Sequence, residues 1–194
     1  MVCLVIPFLR FFLVGCALAL LGASQSEHTA AQIDTTHSQM TVFVYKEGIF
    51  AFAADNHEVT APISSGSFDD ATKIFDVKVD ATKMQVQDPP SRRDKVQANM
   101  VGPEVLDVTK YPDITFHSTK IDTSNTAHWT VHGDLTLHGQ THPIVFEVVR
   151  KGADHFTGSA TVRQTAFGIM PIKIAGGTVR VKDDVKVVFD IVLR

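Results

Sequence analysis

The sequence predicts an all-β fold: an antiparallel sandwich or up-and-down barrel of about eight strands, interrupted by one short helix. Three observations lead there. Apolar and polar residues alternate with period two along most of the chain beyond residue 32, the alternating runs are separated by Gly, Asp and Asn turn residues, and a helical signature occurs near residues 91–101. Hydrophobic residues make up 44% of the 194, which is ordinary globular composition and enough for a core without disulfide staples.

The first segment is not part of that pattern. Arg10 precedes an uncharged run, Phe11–Ala23, that is shorter than the ~20 residues needed to cross a bilayer and gives way to Ser24-Gln25-Ser26-Glu27-His28. We read residues 1–24 as a signal peptide, with cleavage after Ser24 or, further on, after Ala31, and residues 32–194 as one β domain. Two alternatives stand beside this. Val2–Leu9 is also apolar, which would suit an uncleaved anchor, and Leu13-Val14-Gly15-Cys16 spells a lipoprotein-type box, although the apolar Ala17–Ala23 follows Cys16 where a lipoprotein turns polar. Loss of the leader removes Cys3 and Cys16, and with them disulfide, thiolate-metal and Cys-nucleophile chemistry.

The strands follow in order. Met40, Val42 and Val44 alternate with Thr41, Phe43 and Tyr45; Phe75, Val77 and Val79 with Asp76, Lys78 and Asp80; Ile114 and Phe116 with Thr115 and His117. Val185, Val187, Phe189, Ile191 and Leu193 form one face of a last strand. Further candidates are 49–53, 57–64, 128–138, 142–150, 155–163 and 177–182. A hairpin turn at Gly139-Gln140 sets Leu135 opposite Ile144, Gly133 opposite Phe146 and Val131 opposite Val148, and leaves His128, Thr130, His132, Asp134 and Thr136 on the solvent face, with Glu147 opposite His132. After Asp88-Pro89-Pro90, Ser91 and Asp94 form a capping box, Val96 and Met100 lie one helical turn apart, and Gly102-Pro103 stops the helix. Arg92 and Arg93 in its first turn oppose the macrodipole, so they serve either an exposed polar face or something other than helix stability.

Charge and motifs exclude several function classes. Eighteen Lys plus Arg against 21 Asp plus Glu give a net charge of -3, without the cationic field that nucleic-acid binding needs. No nucleophile elbow, zinc-protease, Walker or dinucleotide motif occurs. We therefore expect no catalytic residues, no cofactor and no metal. His132 and His138 are ~20 Å apart along one strand, and His138 with His142 makes only two ligands. Should there be catalysis, Asp55, His57 and His117 are the candidates.

Four segments carry a family resemblance. Ile33-Asp34-Thr35-Thr36-His37-Ser38, Tyr111-Pro112-Asp113-Ile114-Thr115-Phe116-His117-Ser118-Thr119, Gly133-Asp134-Leu135-Thr136-Leu137-His138-Gly139-Gln140-Thr141-His142-Pro143 and Thr165-Ala166-Phe167-Gly168-Ile169 together resemble the YceI-like domain over Ile33–Arg194. Lys46 stands where the family commonly has a His, and Phe50–Ile63 is similar to a branch with a D-x-H-E pattern. The resemblance implies a lipocalin-like antiparallel barrel, periplasmic, that holds a polyisoprenoid or similar long amphiphile in an apolar tunnel and keeps no membrane span after processing.

The expected lumen face follows from strand parity for Met40, Val42, Val44, Phe75, Val77, Ile114, Phe116, Trp129, Val131, Gly133, Leu135, Ile144, Phe146 and Val148, and Phe167 of the closing element of the resemblance is expected to join them. Gly133, Ala51, Ala53, Gly158 and Ala160 would leave interior space if their faces point in, or else mark local bends. Parity also puts Arg150 beside Trp129, where it would meet an anionic head group or snorkel into water. The expected function is a binding protein for a long-chain isoprenoid or similar lipid. The alternative is an accessory module of a membrane redox or stress-response system. The oligomeric state stays open, a dimer being one option.

Overall fold

The computed structural model describes residues 29–48, 56–174 and 178–194. Among them are strands β1 (Ala31–Gln32), β2 (Gln39–Val44), β3 (Lys46–Gly48), β4 (His57–Thr60), β5 (Ile63–Asp69), β6 (Ile74–Asp80), β7 (Gln85–Val86), β8 (Asp113–Asp122), β9 (His128–Leu137), β10 (Gln140–Arg150), β11 (His155–Arg163), β12 (Lys173–Ile174), β13 (Val179–Val181) and β14 (Asp184–Val192), with helix α1 (Pro90–Val101) between β7 and β8. The signal-peptide reading, the candidate strand 49–53 and residues Asp55, Ala51 and Ala53 lie outside the described residues.

Eleven strands form one antiparallel sheet in the order β1-β5-β6-β8-β9-β10-β11-β14-β2-β4-β7. The sheet curls on itself because β4 and β5 are successive halves of one segment bent at Ala61-Pro62. Its first half pairs with β2 and its second with β6. The bend stays bonded on both sides, with Ala61 N donating to Met40 O at 2.9 Å and Asp80 N to Pro62 O at 3.4 Å. Pro62 has no N–H to lose at this point. Counting β4–β5 as one strand, the circuit runs through β2, β4–β5, β6, β8, β9, β10, β11 and β14, which is the expected up-and-down barrel of about eight strands. The run expected at 57–64 is thus two strands, and the one expected at 177–182 contracts to β13, in a small three-stranded sheet with β12 and β3.

Two local expectations are corrected. The hairpin turn is His138-Gly139 rather than Gly139-Gln140, with φ of 51° and 72° at the two residues, the doubly positive geometry of a type I′ turn. Pairing therefore moves by two residues: Ile144 faces Gly133, Phe146 faces Val131, Val148 faces Trp129 and His142 faces Leu135. A two-residue shift preserves parity, so the inward and outward faces are as expected. Glu147 lies opposite Thr130, whose Oγ1 donates to Glu147 Oε1 at 2.9 Å. At α1 the expected capping box is absent. Pro89 is the N-cap, Pro90 occupies the first turn and no side chain caps; proline's preset φ and missing N–H serve in its place. Arg92 and Arg93 instead both reach Asp88, through Nε to Oδ2 at 3.2 Å and Nε to the backbone O at 2.9 Å.

The opening motif closes the barrel. Ile33, 2% exposed, bridges to Leu193 while its N–H bonds Gly66 O at 2.9 Å. Asp34 then caps the turn, accepting from the N–H groups of Thr36 and His37 and lying 2.7 Å from His37 Nδ1. The His37 side-chain bond, followed by the Thr36 N–H, holds the Asp34 carboxyl down from 3.8 to about 2, so it remains ionised in neutral water. Ser38 Oγ accepts from Val192 N at 2.9 Å and donates to Val192 O at 3.3 Å. In the second motif Ser118, 0% exposed, accepts from Phe75 N at 2.7 Å, where the β8–β9 register shifts between Ser118 and Lys120.

Gly133 and Gly158 do not leave open lumen at their own positions, which corrects that expectation. A Cβ at Gly133 would lie 2.3 Å from Phe116 Cζ and 2.4 Å from His117 O, and one at Gly158 would lie 2.5 Å from Phe189 Cζ. Each glycine makes room for a phenylalanine ring from the neighbouring strand. Phe146 joins the two rings at centroid distances of 5.3 and 5.6 Å. We expect Gly133→Ala to cost about 1–3 kcal/mol in urea unfolding, because one of the atoms it meets is backbone. An unchanged midpoint would mean that the Phe116 ring moves freely.

Candidate functional site

The interior divides along the barrel axis. At the end where β10 passes into β11, Phe68, Trp129 and Phe156 pack with ring centroids 5.3–5.9 Å apart. The end with the His138-Gly139 turn is closed by three motifs that converge there. Tyr111 packs against His138 at 4.9 Å and over Gly139. His138 Nδ1 lies 3.1 Å from Phe167 O, and His142 stacks edge-on against Phe167 at 5.2 Å. These residues belong to segments that carry the family resemblance, and in the structure they hold the hairpin to the 3-10 turn Gln164–Phe167.

Helix α1 covers part of the same end. Its Gln97 amide donates to Met84 O at 2.8 Å and accepts from Val86 N at 2.9 Å, so it occupies the open edge of β7 as a strand would. Beneath it the His57 imidazole meets Asp88 Oδ2 at 2.8 Å, with the Asp88 side chain only 3% exposed. This anchorage brings Met100, and the following Val105 and Leu106, over the interior.

Between the two ends lies a cavity of about 200 Å3. It exceeds the ~150 Å3 of a dry apolar cavity that admits a benzene-sized molecule and falls below the ~300 Å3 at which drug-sized pockets begin. That size suits a slender chain. Met40, Met84 and Met100 in the wall are flexible enough to widen it.

Of the expected lumen residues, Met40, Val42, Val44, Phe75, Val77, Ile114, Phe116, Leu135, Ile144 and Phe146 line this cavity. Trp129, Val131 and Val148 point inward but line a separate void of about 20 Å3 among the aromatic rings. Gly133 is covered by Phe116, and Phe167, 1% exposed, belongs to the closure of the hairpin end. Arg150 does stand beside Trp129, its guanidinium carbon 5.3 Å from the ring centroid, with Nε donating to Gly152 O at 2.9 Å. The packed rings separate it from the cavity, so it is not placed to meet a head group there.

Sequence reasoning missed other wall residues. Val185, Val187, Phe189 and Ile191 share a face that the alternation of the last strand displays, and Val162 follows the parity of Ala160, which was expected to leave interior space if it faced in and does line the wall. Met84, Val105, Leu106, Gln164 and Ile169 reach the wall from covering segments for which no periodic signal exists, and Met100 reaches it from the helix, whose spacing with Val96 showed the helix but not its place over the barrel. Of the catalytic candidates, the two among the described residues do not line the cavity: His57 faces Asp88, and His117 pairs with Asp76 at 2.7 Å on the outer face. Among the described residues no group of three His, Cys, Asp or Glu is placed to hold a metal ion.

The barrel, its helix and its cavity can now be set beside known proteins. The family model of the YceI-like domain matches residues 32–193. The chain belongs to the YceI-like family. A UPF0312 protein of Pseudomonas savastanoi pv. phaseolicola is 33% identical over 117 residues, 52% of this chain and 59% of that protein. One from Vibrio cholerae is 37% identical over 75 residues, 34% of this chain and 40% of that protein. This YceI-like chain thus matches less than two thirds of the length of these relatives. Among solved structures, Burkholderia cenocepacia BcnA superposes with TM-score 0.60 at 19% identity, covering 82% of this chain and 98% of that one. A polyisoprenoid binding domain from Saccharophagus degradans gives 0.60 at 13% identity, covering 86% and 99%. At those identities the likeness is one of fold.

Proposed function

We propose that this YceI-like protein is an exported carrier or sequestering protein that holds the chain of a long apolar amphiphile, of the polyisoprenoid kind, in the barrel cavity. The observation that carries the reading is the cavity itself, walled almost wholly by aliphatic and aromatic side chains. Each methylene buried there gains ~0.8 kcal/mol, so a chain needs no charged contact to bind. The Saccharophagus degradans neighbour, named for polyisoprenoid binding, supports the same ligand class. An accessory module acting through its outer surface would have no use for such a cavity.

Export rests on the Arg10 and Phe11–Ala23 pattern. Among the described residues no helix is long and apolar enough to cross a membrane. Ala31 pairs with Phe68 and packs against the core, so we place cleavage after Ser24, which keeps β1 whole. Protein purified from the periplasm of an expressing bacterium should carry lipid. Native mass spectrometry followed by organic extraction should return an isoprenoid-type chain. An empty extract, together with no uptake of added geraniol, would end the proposal.

A further inference from the structure

Among the described residues the cavity wall contains two polar ones, Thr115 and Gln164. Thr115 alternates with the inward-facing Ile114 and Phe116, and its cross-strand partners are Lys78 and Thr136 on the outer face. Strand alternation therefore aims its hydroxyl outward. Gln164 is the polar side chain presented to the interior.

Its setting is rigid. The backbone N–H of Gln164 donates to Asp183 O at 3.0 Å, and its carbonyl accepts from Ile169 N at 3.1 Å. The side-chain Nε2 donates to Lys182 O at 2.8 Å. A carbonyl partner decides the orientation of the amide, because only the NH2 group can donate to it. Oε1 is therefore the atom left over, a pure acceptor on a half-buried side chain that lines the cavity and whose amide is tied to Lys182 O on its exposed side.

We propose that Gln164 Oε1 receives a hydrogen bond from the polar end of the bound chain, and that the ligand class is a neutral apolar chain ending in a donor, an alcohol rather than a phosphate or carboxylate. This rests on the reading that the cavity holds such a chain. Among the described residues no cationic side chain lines the cavity to offset a buried anion. Nearby, Arg163 is paired with Asp184 at 3.5 Å, and the Asp183 carboxylate accepts from Thr165 N and Oγ1 at 2.8 and 2.6 Å. A second acceptor brought to Oε1 would leave both without a proton between them, whereas a hydroxyl satisfies it.

Three short probes share one chain: geraniol, geranyl methyl ether and geranyl phosphate. The ether keeps an acceptor oxygen but has no proton to donate. By calorimetry, Gln164→Met should weaken geraniol about fivefold, the value of one neutral hydrogen bond, and leave the ether unchanged. Geranyl phosphate should bind the unaltered protein more weakly than geraniol. An equal loss for geraniol and ether, or a phosphate that binds more tightly than the alcohol, would overturn the assignment. Gln164→Leu provides a second apolar replacement, and the phosphate comparison stands whatever the variants do. Failure of all three probes to bind the unaltered protein would remove the cavity reading itself and this assignment with it. Binding of the ether alone separates the two.

Discussion

Ala160→Leu should empty the protein of lipid while leaving it folded. Ala160 projects from β11 into the cavity and is 9% exposed. Three added heavy atoms there take the place of ligand methylenes in an otherwise open volume. Displacing about three methylenes removes ~2–3 kcal/mol of binding, a loss on the order of fiftyfold. The ligand-free protein should melt at or above the normal temperature, since the new side chain fills space instead of creating strain. Tightly packed cores behave in the opposite way, losing ~1–3 kcal/mol on enlargement. Thermal unfolding of delipidated protein and lipid extraction from cell-purified protein give the two readings together. A destabilised variant with the normal lipid load would show that the chain binds elsewhere and that this region is filled core.

The second large effect is expected at Asp88. Its carboxylate is buried between the His57 imidazole of β4 and Arg92 of α1, while its carbonyl accepts from Arg93. Removing one partner of a buried pair leaves the others desolvated and unmatched, which costs ~3–5 kcal/mol when all are buried. Arg92 is 41% exposed and can turn to water, so Asp88→Ala should cost about 2–3 kcal/mol. At about 2–4 °C per kcal/mol for a domain of this size, the melting temperature should fall by roughly 5–10 °C. Asp88→Asn keeps an acceptor for both partners and should cost less. Because the anchorage holds Met100, Val105 and Leu106 over the cavity, Asp88→Ala should also raise the binding of a hydrophobic dye. Asp94→Ala on the exposed face of α1 is the control, within about 0.5 kcal/mol of the parent. Equal effects at Asp88 and Asp94 would remove the anchoring role and restore the capping box.

Hairpin residues show how much a linear pattern can carry. Alternation in 128–150 assigned every side chain there to the correct face, because the period of a strand is a local property of its backbone. The pairing itself was displaced by two residues, since His138 takes a positive φ that sequence preference reserves mainly for Gly, Asn and Asp. Parity survives such a slip, and the wall residues Leu135, Ile144 and Phe146 were therefore legible despite it. The helix was legible too, from Pro90 and Gly102-Pro103, but its anchorage through Asp88, His57 and Gln97 was not. Those contacts join segments that nothing local relates.

By itself, then, the sequence determined the all-β class, the inward faces of β2, β6, β8, β9 and β10, the place of the helix and, through its four segments, the family. Tertiary structure alone decided which part of the inward face stays open. Trp129, Val131 and Leu135 have the same parity on one strand, yet the first two pack into the aromatic end and the third walls the cavity. The difference arises from rings contributed by β5, β6 and β11 at one end, and from the landing of α1 and the 3-10 turn at the other. Gly133 carries the same lesson in reverse: its missing side chain makes room for Phe116 from the neighbouring strand. Packing depends on which distant side chain arrives first at a given volume, and periodicity along the chain holds no record of that.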